Sequence, residues 1–428
     1  MYDYRNERYG VVFMIDAKSF YASVEAVDHG YDPLQVPLVV LSQGPNVGGG
    51  GLVLATSPMA KKMFGLKTNV SRRYDLPEDQ RLKIYPPRMN LYIKKNLEIN
   101  RLFQEFAAPE DIQPYSIDES IVDVTHSWHL FGQSPVEVAQ RMQRRVYEAT
   151  GLYLTIGIGN NPMQAKLALD NYAKRAANMI GIISYETVPN MIWPLNDLEQ
   201  VWSIGHRTAR KLQRLGIRTL YDLAHYNPNR LKELFGVIGE QLYALSWGVD
   251  RAIVSQKTAV KEQSIGNSQV LPRDYDNLTD LRIVVREITE QVAARLRFQH
   301  KQAQVLSLTI SYGYGEGFSK QATFVPTNLS TNLVQAALFL LTDNYQGTVV
   351  RNVAVYTSKL IPDKFEQLDI FVAPETQVLA HKLDHTISAI QRQFGFTKLV
   401  KASSLLDGGT AIERASLVGG HNGGNAYE

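Results

Sequence analysis

The chain has 428 residues, 44% of them apolar and 20% charged; that is too long for a single core and ordinary for globular protein, so about three domains are expected. The absence of cysteine excludes disulfides and thiolate metal sites and is compatible with a reducing compartment. A net charge of +3 does not by itself imply a nucleic-acid partner, no run approaches the roughly 20 apolar residues of a bilayer span, and Met1-Tyr2-Asp3-Tyr4-Arg5 lacks the form of a signal peptide, so the expectation is a cytoplasmic protein with no membrane partner.

Val11–Asp16 reads as a strand ending on a carboxylate, and Ser19–Asp28 as an amphipathic helix with Phe20, Val24 and Val27 on one face. A loop-rich stretch with Pro33 and Pro37 follows. Its glycine run, Gly48–Gly51, lacks the Gly-Lys-Ser/Thr ending of a phosphate loop and reads as a turn. The next helix is punctuated by Ser57 as N-cap, Pro58 at its first position and Gly65 past its end. Tyr115–Asp123 is an alternating apolar run interrupted by two adjacent acids, Asp118 and Glu119. Helix Val136–Thr150 closes on Gly151 and is followed by strand Leu152–Ile158, helix Pro162–Ala177 and strand Ile182–Tyr185. This mixture suggests an α/β domain with a small subdomain inserted at about 30–88.

From about residue 196 the pattern changes to short helices. Val201-Trp202-Ser203-Ile204-Gly205-His206 leads into helix Arg207–Leu215, capped by Gly216, and Thr219–His225 is the next helix. That is helix-hairpin-helix spacing, in which a tight Ile204-Gly205 turn can offer backbone N–H groups to a DNA phosphate. Arg207, Arg210, Lys211, Arg214 and Arg218 form a local basic cluster. After the linker-like Asp250–Lys261, strand Ser264–Leu271, helix Leu278–Phe298, strands Ala303–Tyr312 and Lys320–Val325, helix Ser330–Tyr345 and strand Arg351–Lys359 give a β-α-β-β-α-β order, the split βαβ arrangement. Residues 362–428 are weakly patterned, and the glycine-rich end Gly419–Gly424 reads as mobile.

If the strands ending at Asp16 and Asp118-Glu119 lie side by side, three carboxylates converge at one end of a sheet. Like charges raise one another's pKa, so such a cluster needs compensation. Divalent cations supply it, and hard oxygen ligands favour Mg²⁺. Two metals held by shared carboxylates are suited to in-line attack on a phosphate. Carboxylates adjacent in a strand point to opposite sides, so a turn must bring Asp118 and Glu119 to one site.

Asp16–Glu25 (Asp-Ala-Lys-Ser-Phe-Tyr-Ala-Ser-Val-Glu) and Ser116–Ser120 (Ser-Ile-Asp-Glu-Ser) resemble the two catalytic motifs of Y-family, translesion DNA polymerases, and the UmuC-like bacterial branch in particular. The resemblance extends through Thr155–Asp170, with Gly157-Ile158-Gly159 and Ala165-Lys166-Leu167-Ala168, to the helix-hairpin-helix and the C-terminal split βαβ pattern, covering roughly residues 10–360. It implies a multidomain α/β right-hand polymerase: a palm at 1–195 with small fingers at about 30–88, a helix-hairpin-helix thumb at 196–255, a linker at 256–263, a split βαβ little finger at 264–361 and a tail at 362–428.

The family's roles fall on named residues. The resemblance implies that Asp16, Asp118 and Glu119, with the carbonyl of Ala17, hold two Mg²⁺, and that Tyr21 and Phe20 contact the nucleotide, Tyr21 excluding a ribose 2′-hydroxyl. Thr56 and Lys62 match positions that contact the triphosphate of the incoming dNTP, although Lys62 replaces the usual Arg and Met59 the usual Tyr. Lys174 matches a palm lysine, but an apparent extra residue after Asp170 leaves Lys174 and Arg175 as alternatives. Ile204, Gly205, Arg207, Arg210 and Lys211 would contact primer–template DNA. Gln367-Leu368-Asp369-Ile370-Phe371 resembles the peptide that docks bacterial polymerases on the sliding clamp. The expected activity is template-directed, low-fidelity DNA synthesis past damaged bases, as in the SOS response, with accessory subunits as further candidate partners. The alternatives are a non-catalytic DNA- and clamp-binding subunit, which would require a broken metal site, and another two-metal nucleotidyl or cyclase enzyme on a related palm.

Overall fold

β-Branched and aromatic runs lay down the strands, and the computed structural model describes residues 2–42, 51–195, 197–256, 263–313, 315–364 and 373–423. In chain order the first part contains β1 (Val12–Ala17), α1 (Phe20–Asp28), β2 (Leu38–Leu41), β3 (Val53–Thr56), α2 (Pro58–Phe64), β4 (Lys83–Tyr85) and α3 (Met89–Phe103). It continues with β5 (Ile112–Pro114), β6 (Glu119–Asp123), α4 (Pro135–Thr150), β7 (Leu154–Gly159), α5 (Pro162–Asn171), β8 (Ile180–Ile183) and the single turn α6 (Val188–Met191). The expected caps are present: the Ser57 hydroxyl accepts from the Ala60 N–H, and Gly65 and Gly151 take left-handed φ angles of 66° and 70°.

The central sheet has the order β5-β6-β1-β7-β8. Along β1, alternate residues serve two cores. Phe13, Ile15 and Ala17 face the larger one, shared with α1, α3 and α4, while Val12 and Met14 pack on Ala165 and Leu169 of α5. Asp16 follows the Val12–Met14 alternation and so shares the face that α5 covers. Glycine sets how close α5 lies to the sheet. A Cβ on Gly157 would stand 2.1 Å from the Ala165 carbonyl oxygen, and one on Gly159 2.4 Å from the Ala165 nitrogen. The inserted segment forms a three-stranded sheet, β3-β2-β4, carrying α2.

Helix α5 ends at Asn171, short of the expected Ala177. Tyr172 leaves helical geometry with φ −123°, and Ala173–Arg175 forms a 3₁₀ turn. That turn is pressed against β8, where a Cβ on Gly181 would meet the Ala173 nitrogen at 2.7 Å.

Four helices follow: α7 (His206–Arg214), α8 (Leu220–Ala224), α9 (Pro228–Phe235) and α10 (Val237–Ser246). Thr219 and Asp222 form a capping box on α8. The helices pack on Met163, Leu167 and Ala168 of α5, which is thereby held between the sheet and the helical domain. The second sheet comprises β9 (Ile265–Tyr275), β10 (Lys301–Gly313), β11 (Glu316–Thr327) and β12 (Val350–Ser358), with α11 (Leu278–Phe298) and α12 (Ser330–Asn344) between them. Its order is β11-β10-β12-β9, all antiparallel, so β12 splits the β9-α11-β10 unit. The short β13 (Ile361–Pro362) pairs with β10.

The C-terminal segment differs from its weakly patterned reading. It contains the 21-residue helix α13 (Pro374–Phe394), whose Leu379 and Leu383 are exposed, so the helical period is not marked by a buried stripe. Then come the turn α14 (Ala411–Arg414) and the hairpin β14 (Leu417–Val418)–β15 (His421–Asn422). Gly419 and Gly420 join the hairpin with φ of 60° and 84°, the geometry of a two-residue turn that glycine supplies without strain. The end expected to be mobile is therefore seated through residue 423: Val418 packs on the first core, and the Gly423 carbonyl accepts from the Asn90 N–H at 2.9 Å. Among the described residues no helix is long and apolar enough to cross a membrane.

Candidate active site

β1 pairs antiparallel with β6 so that Asp16 lies opposite Glu119, and with β7 so that Asp16 lies opposite Thr155. Directly opposed residues project to the same side, which puts Asp16, Glu119 and Thr155 on the face covered by α5. Asp118 precedes β6 in the tight hairpin after β5. The Tyr115 and Ser116 N–H groups both donate to the Glu119 carbonyl, at 2.8 and 3.0 Å. The Ala17 N–H donates to the Asp118 carbonyl at 2.9 Å, and the Ser116 hydroxyl donates to Asp118 Oδ1 at 2.7 Å. The turn demanded by the adjacent acids is this hairpin.

Helix α5 brings cations to the carboxylates. Lys166 Nζ contacts Glu119 Oε1 at 2.7 Å and Asp170 at 3.1 Å, with its side chain only 10% exposed. The 3₁₀ turn then places Lys174, rather than Arg175, over the group: its Nζ lies 2.8 Å from Asp170, 3.4 Å from Asp16 and 3.8 Å from Glu119. Burial, with the nearby charges of Asp118 and Glu119, pushes the Asp16 carboxyl up to about 7 even though Lys174 opposes the shift. For Lys174 burial lowers the pKa, but Asp16, Asp170 and Glu119 outweigh it and the net shift is upward. Both shifts are upward, which favours the neutral form of buried Asp16 and the charged form of Lys174, the group that faces several acids.

The donor set fits a hard divalent cation. Asp16 is short of positive charge, and Thr155 beside it has a buried hydroxyl without a hydrogen-bond partner. Asp16, Asp118 and Glu119 do not bring three ligand atoms within 4.8 Å of one another, and Lys174 and Lys166 contact Asp16 and Glu119. Among the described residues only Glu25, Asp28 and His29 bring three ligand-type atoms within 4.8 Å of one another. That second cluster is already satisfied: Glu25 is buried and accepts from Arg88 Nε at 3.0 Å and from the Tyr92 hydroxyl at 2.6 Å.

A cleft of about 710 Å³ opens beside Asp16 and Asp118, between the central sheet and the inserted subdomain. Ala17, Phe20, Tyr21, Thr56 and Lys174 line it. Phe20 is mainly a core residue at 3% exposed. The Tyr21 ring stacks on Tyr92, with centroids 4.5 Å apart and planes 14° apart. Lys61, not Lys62, lines the cleft. Adjacent helical residues point about 100° apart, so Lys62, the expected triphosphate contact, is not among the lining residues while its neighbour is. Sequence reasoning also assigned no role to Lys18, Thr68, Asn69 or Lys166. Of these, only Lys166 carried a signal, four residues before Asp170 and hence on the same helical face.

In the helical domain Arg207 and Arg210 are exposed, whereas Lys211 donates to the Leu234 carbonyl at 2.5 Å and lies 4.1 Å from the Phe235 ring centroid. It fastens α7 to α9. Ile204 is buried, and its N–H donates to the Val201 carbonyl at 3.0 Å, so the expected turn has only Gly205 of that pair exposed. The residue left-handed in this turn is Ser203, with φ 70°. Gln367–Phe371 lies outside the described residues.

Comparison with known proteins follows the same layout. Residues 15–170 match the model of the impB/mucB/samB family, 262–370 the impB/mucB/samB family C-terminal domain and 200–250 the DNA polymerase-iota thumb domain. The chain is 36% identical over 425 residues to a putative UV-damage repair protein UvrX of Bacillus subtilis (strain 168), covering 98% of this chain and 100% of that protein. It is 33% identical over 417 residues to DNA polymerase IV 2 of the same organism, covering 96% and 98% of the two chains. In structure it is similar to a Y-family DNA polymerase chimera, Dbh-Dpo4(243-245)-Dbh, with a TM-score of 0.67 at 21% identity, covering 82% of this chain and 99% of that one.

Proposed function

The chain belongs to the impB/mucB/samB family of Y-family translesion DNA polymerases, and from that premise we propose that Asp16, Asp118 and Glu119, with the Ala17 carbonyl, hold two Mg²⁺ for nucleotidyl transfer. The protein is a template-directed DNA polymerase acting on primer–template DNA and dNTPs. The observation that most supports the metal assignment is the β1–β6 register. It sets Asp16 opposite Glu119, with Asp118 in the adjoining hairpin, at a cleft also lined by Tyr21 and Lys174.

When bound, paired Mg²⁺ ions lower the pKa of a primer 3′-hydroxyl and neutralise the leaving pyrophosphate. The chain's own residues do the rest. Ser116 fixes the Asp118 carboxylate by donating to it, and Lys166 fixes Glu119. Lys61 and Lys174 supply positive charge for a triphosphate, aided by the N-terminus of α2 near Thr56. Tyr21, held flat against Tyr92, presents a wall to the sugar. Arg207 and Arg210, with the backbone of the Ile204-Gly205 turn, would grip a phosphate backbone. Lys211 serves that grip indirectly, by securing α7.

The inserted sheet, the helical domain and the second sheet would be the fingers, thumb and little finger. Low fidelity follows from fingers of three short strands and one short helix, which enclose a nascent pair loosely. Clamp binding through Gln367–Phe371, induction with the SOS response and dependence on accessory subunits are further parts of this reading.

Primer extension on undamaged and lesion-containing templates, with and without Mg²⁺, tests it. Metal-dependent extension on both is expected. DNA binding without any extension would overturn it in favour of a non-catalytic scaffold.

A further inference from the structure

One contact crosses from the helical domain to the catalytic hairpin. The Trp202 indole N–H donates to the Tyr115 hydroxyl at 3.0 Å, and the two rings meet edge to face at 6.4 Å. Each partner is next to a site already described. Trp202 immediately precedes the Ser203-Ile204-Gly205 turn, in which Ser203 holds φ 70°. Tyr115 opens the hairpin that carries Asp118 and Glu119, and its ring lies 5.9 Å from Lys166 Nζ, the amine that holds Glu119 at 2.7 Å. Tyr115 itself is 45% exposed, so packing alone does not immobilise it; its hydroxyl is held by Trp202 and its backbone N–H by the Glu119 carbonyl at 2.8 Å.

We propose that Trp202 and Tyr115 are positioning residues that couple the seating of the helical domain on DNA to the metal-binding geometry of Asp118 and Glu119. The inference rests on the polymerase reading above. When the 203–205 turn is pinned by a DNA phosphate, Trp202 is pinned with it. The Tyr115 hydroxyl then has a fixed partner, its ring stays against Lys166, and the hairpin loses freedom before a cation arrives. A cation that meets ordered ligands bears less of the cost of ordering them. The coupling is reciprocal: whatever DNA does for the metal, the metal does for DNA to the same degree.

The test uses the full chain and Mn²⁺, with binding followed by electron paramagnetic resonance in the presence and absence of a dideoxy-terminated primer–template that cannot react. In the parent, DNA tightens Mn²⁺ binding by about fivefold or more, the lower end of ordinary allosteric coupling. Tyr115→Phe removes only the hydroxyl, whereas Trp202→Phe removes the indole N–H together with the five-membered half of the ring that packs on the helical-domain core, so Tyr115→Phe is the cleaner of the two. Each should cut that enhancement to about twofold or less, leave Mn²⁺ affinity without DNA within about twofold of the parent and keep the melting temperature. The double variant should lose no more than either single one, because both remove the same link. An enhancement that survives in both single variants overturns the inference, as does a parent whose Mn²⁺ affinity ignores DNA. A parent that binds no Mn²⁺ sensitive to Asp118→Ala would instead remove the metal assignment on which the inference stands.

Discussion

Asp16 is a carboxylate on the covered face of a sheet, opposite another acid. Its pKa of about 7 has a calculable consequence. An unfolded carboxyl releases its proton near 4, the folded one near 7, so between those values the folded state holds a proton the unfolded state has lost. Stability therefore falls as pH rises through this interval, and the full cost is borne above it. In chelator, Asp16→Asn should raise the melting temperature clearly at pH 8 and hardly at pH 4; equal gains at both would show that Asp16 is not the titrating group. Tyr21→Ala should relax discrimination against ribonucleotides at least tenfold, corresponding to roughly 1.4 kcal/mol, in single-nucleotide incorporation assays. Unchanged discrimination would dissociate the Tyr21–Tyr92 stack from sugar selection. These residues were legible because each sits in a dense motif of fixed spacing. Lys61 was not, because choosing between it and Lys62 needs the rotational phase of α2, which one short helix does not fix in sequence.

Among the elements, α5 is held on two sides. It touches the sheet through backbone at Gly157 and Gly159 on one side and the helical domain on the other, and it carries Lys166 and Asp170 toward the carboxylates. Gly157→Ala forces a Cβ to 2.1 Å from the Ala165 carbonyl. The helix must then move, and a loss of about 1–3 kcal/mol is expected from overpacking. Extension activity should fall more than stability alone explains, because the lysines move with the helix. Chemical denaturation and extension rates together check this, and a fully active, fully stable Gly157→Ala variant would refute it. The glycines were visible in sequence, yet their meaning as contact points was not, since the approach of a helix to a sheet is a tertiary fact. The same limit explains the misread end of α5. Residues 162–177 look continuously helical, and only packing against Gly181 shows why the chain tightens into a 3₁₀ turn that selects Lys174 over Arg175.

For the whole molecule, the β-α-β-β-α-β succession and the change to short helices were readable from periodicity, whereas the return of the C-terminus to the first domain was not. On its way the tail is tied to the second-sheet domain, at β9 and α11, by long-range polar contacts. Arg414 Nη1 donates to Gln269 at 2.7 Å, and the Thr410 N–H donates to Glu287 at 2.9 Å, all among buried residues. Farther on, Gly423 meets Asn90. Arg414→Ala removes a donor to Gln269 and the 4.0 Å pairing with Glu287, although both keep bonds from Thr410, and should cost about 1–3 kcal/mol in urea denaturation; a loss below about 0.5 kcal/mol would mean the network is dispensable. The account as a whole rests on the convergence of Asp16, Asp118 and Glu119 as a cation-dependent engine for DNA synthesis. Single-turnover primer extension by Asp118→Ala, at saturating DNA and Mg²⁺, tests it most directly. The rate should drop by about 10²–10⁴-fold with DNA affinity intact; a rate within a few fold of the parent would contradict it.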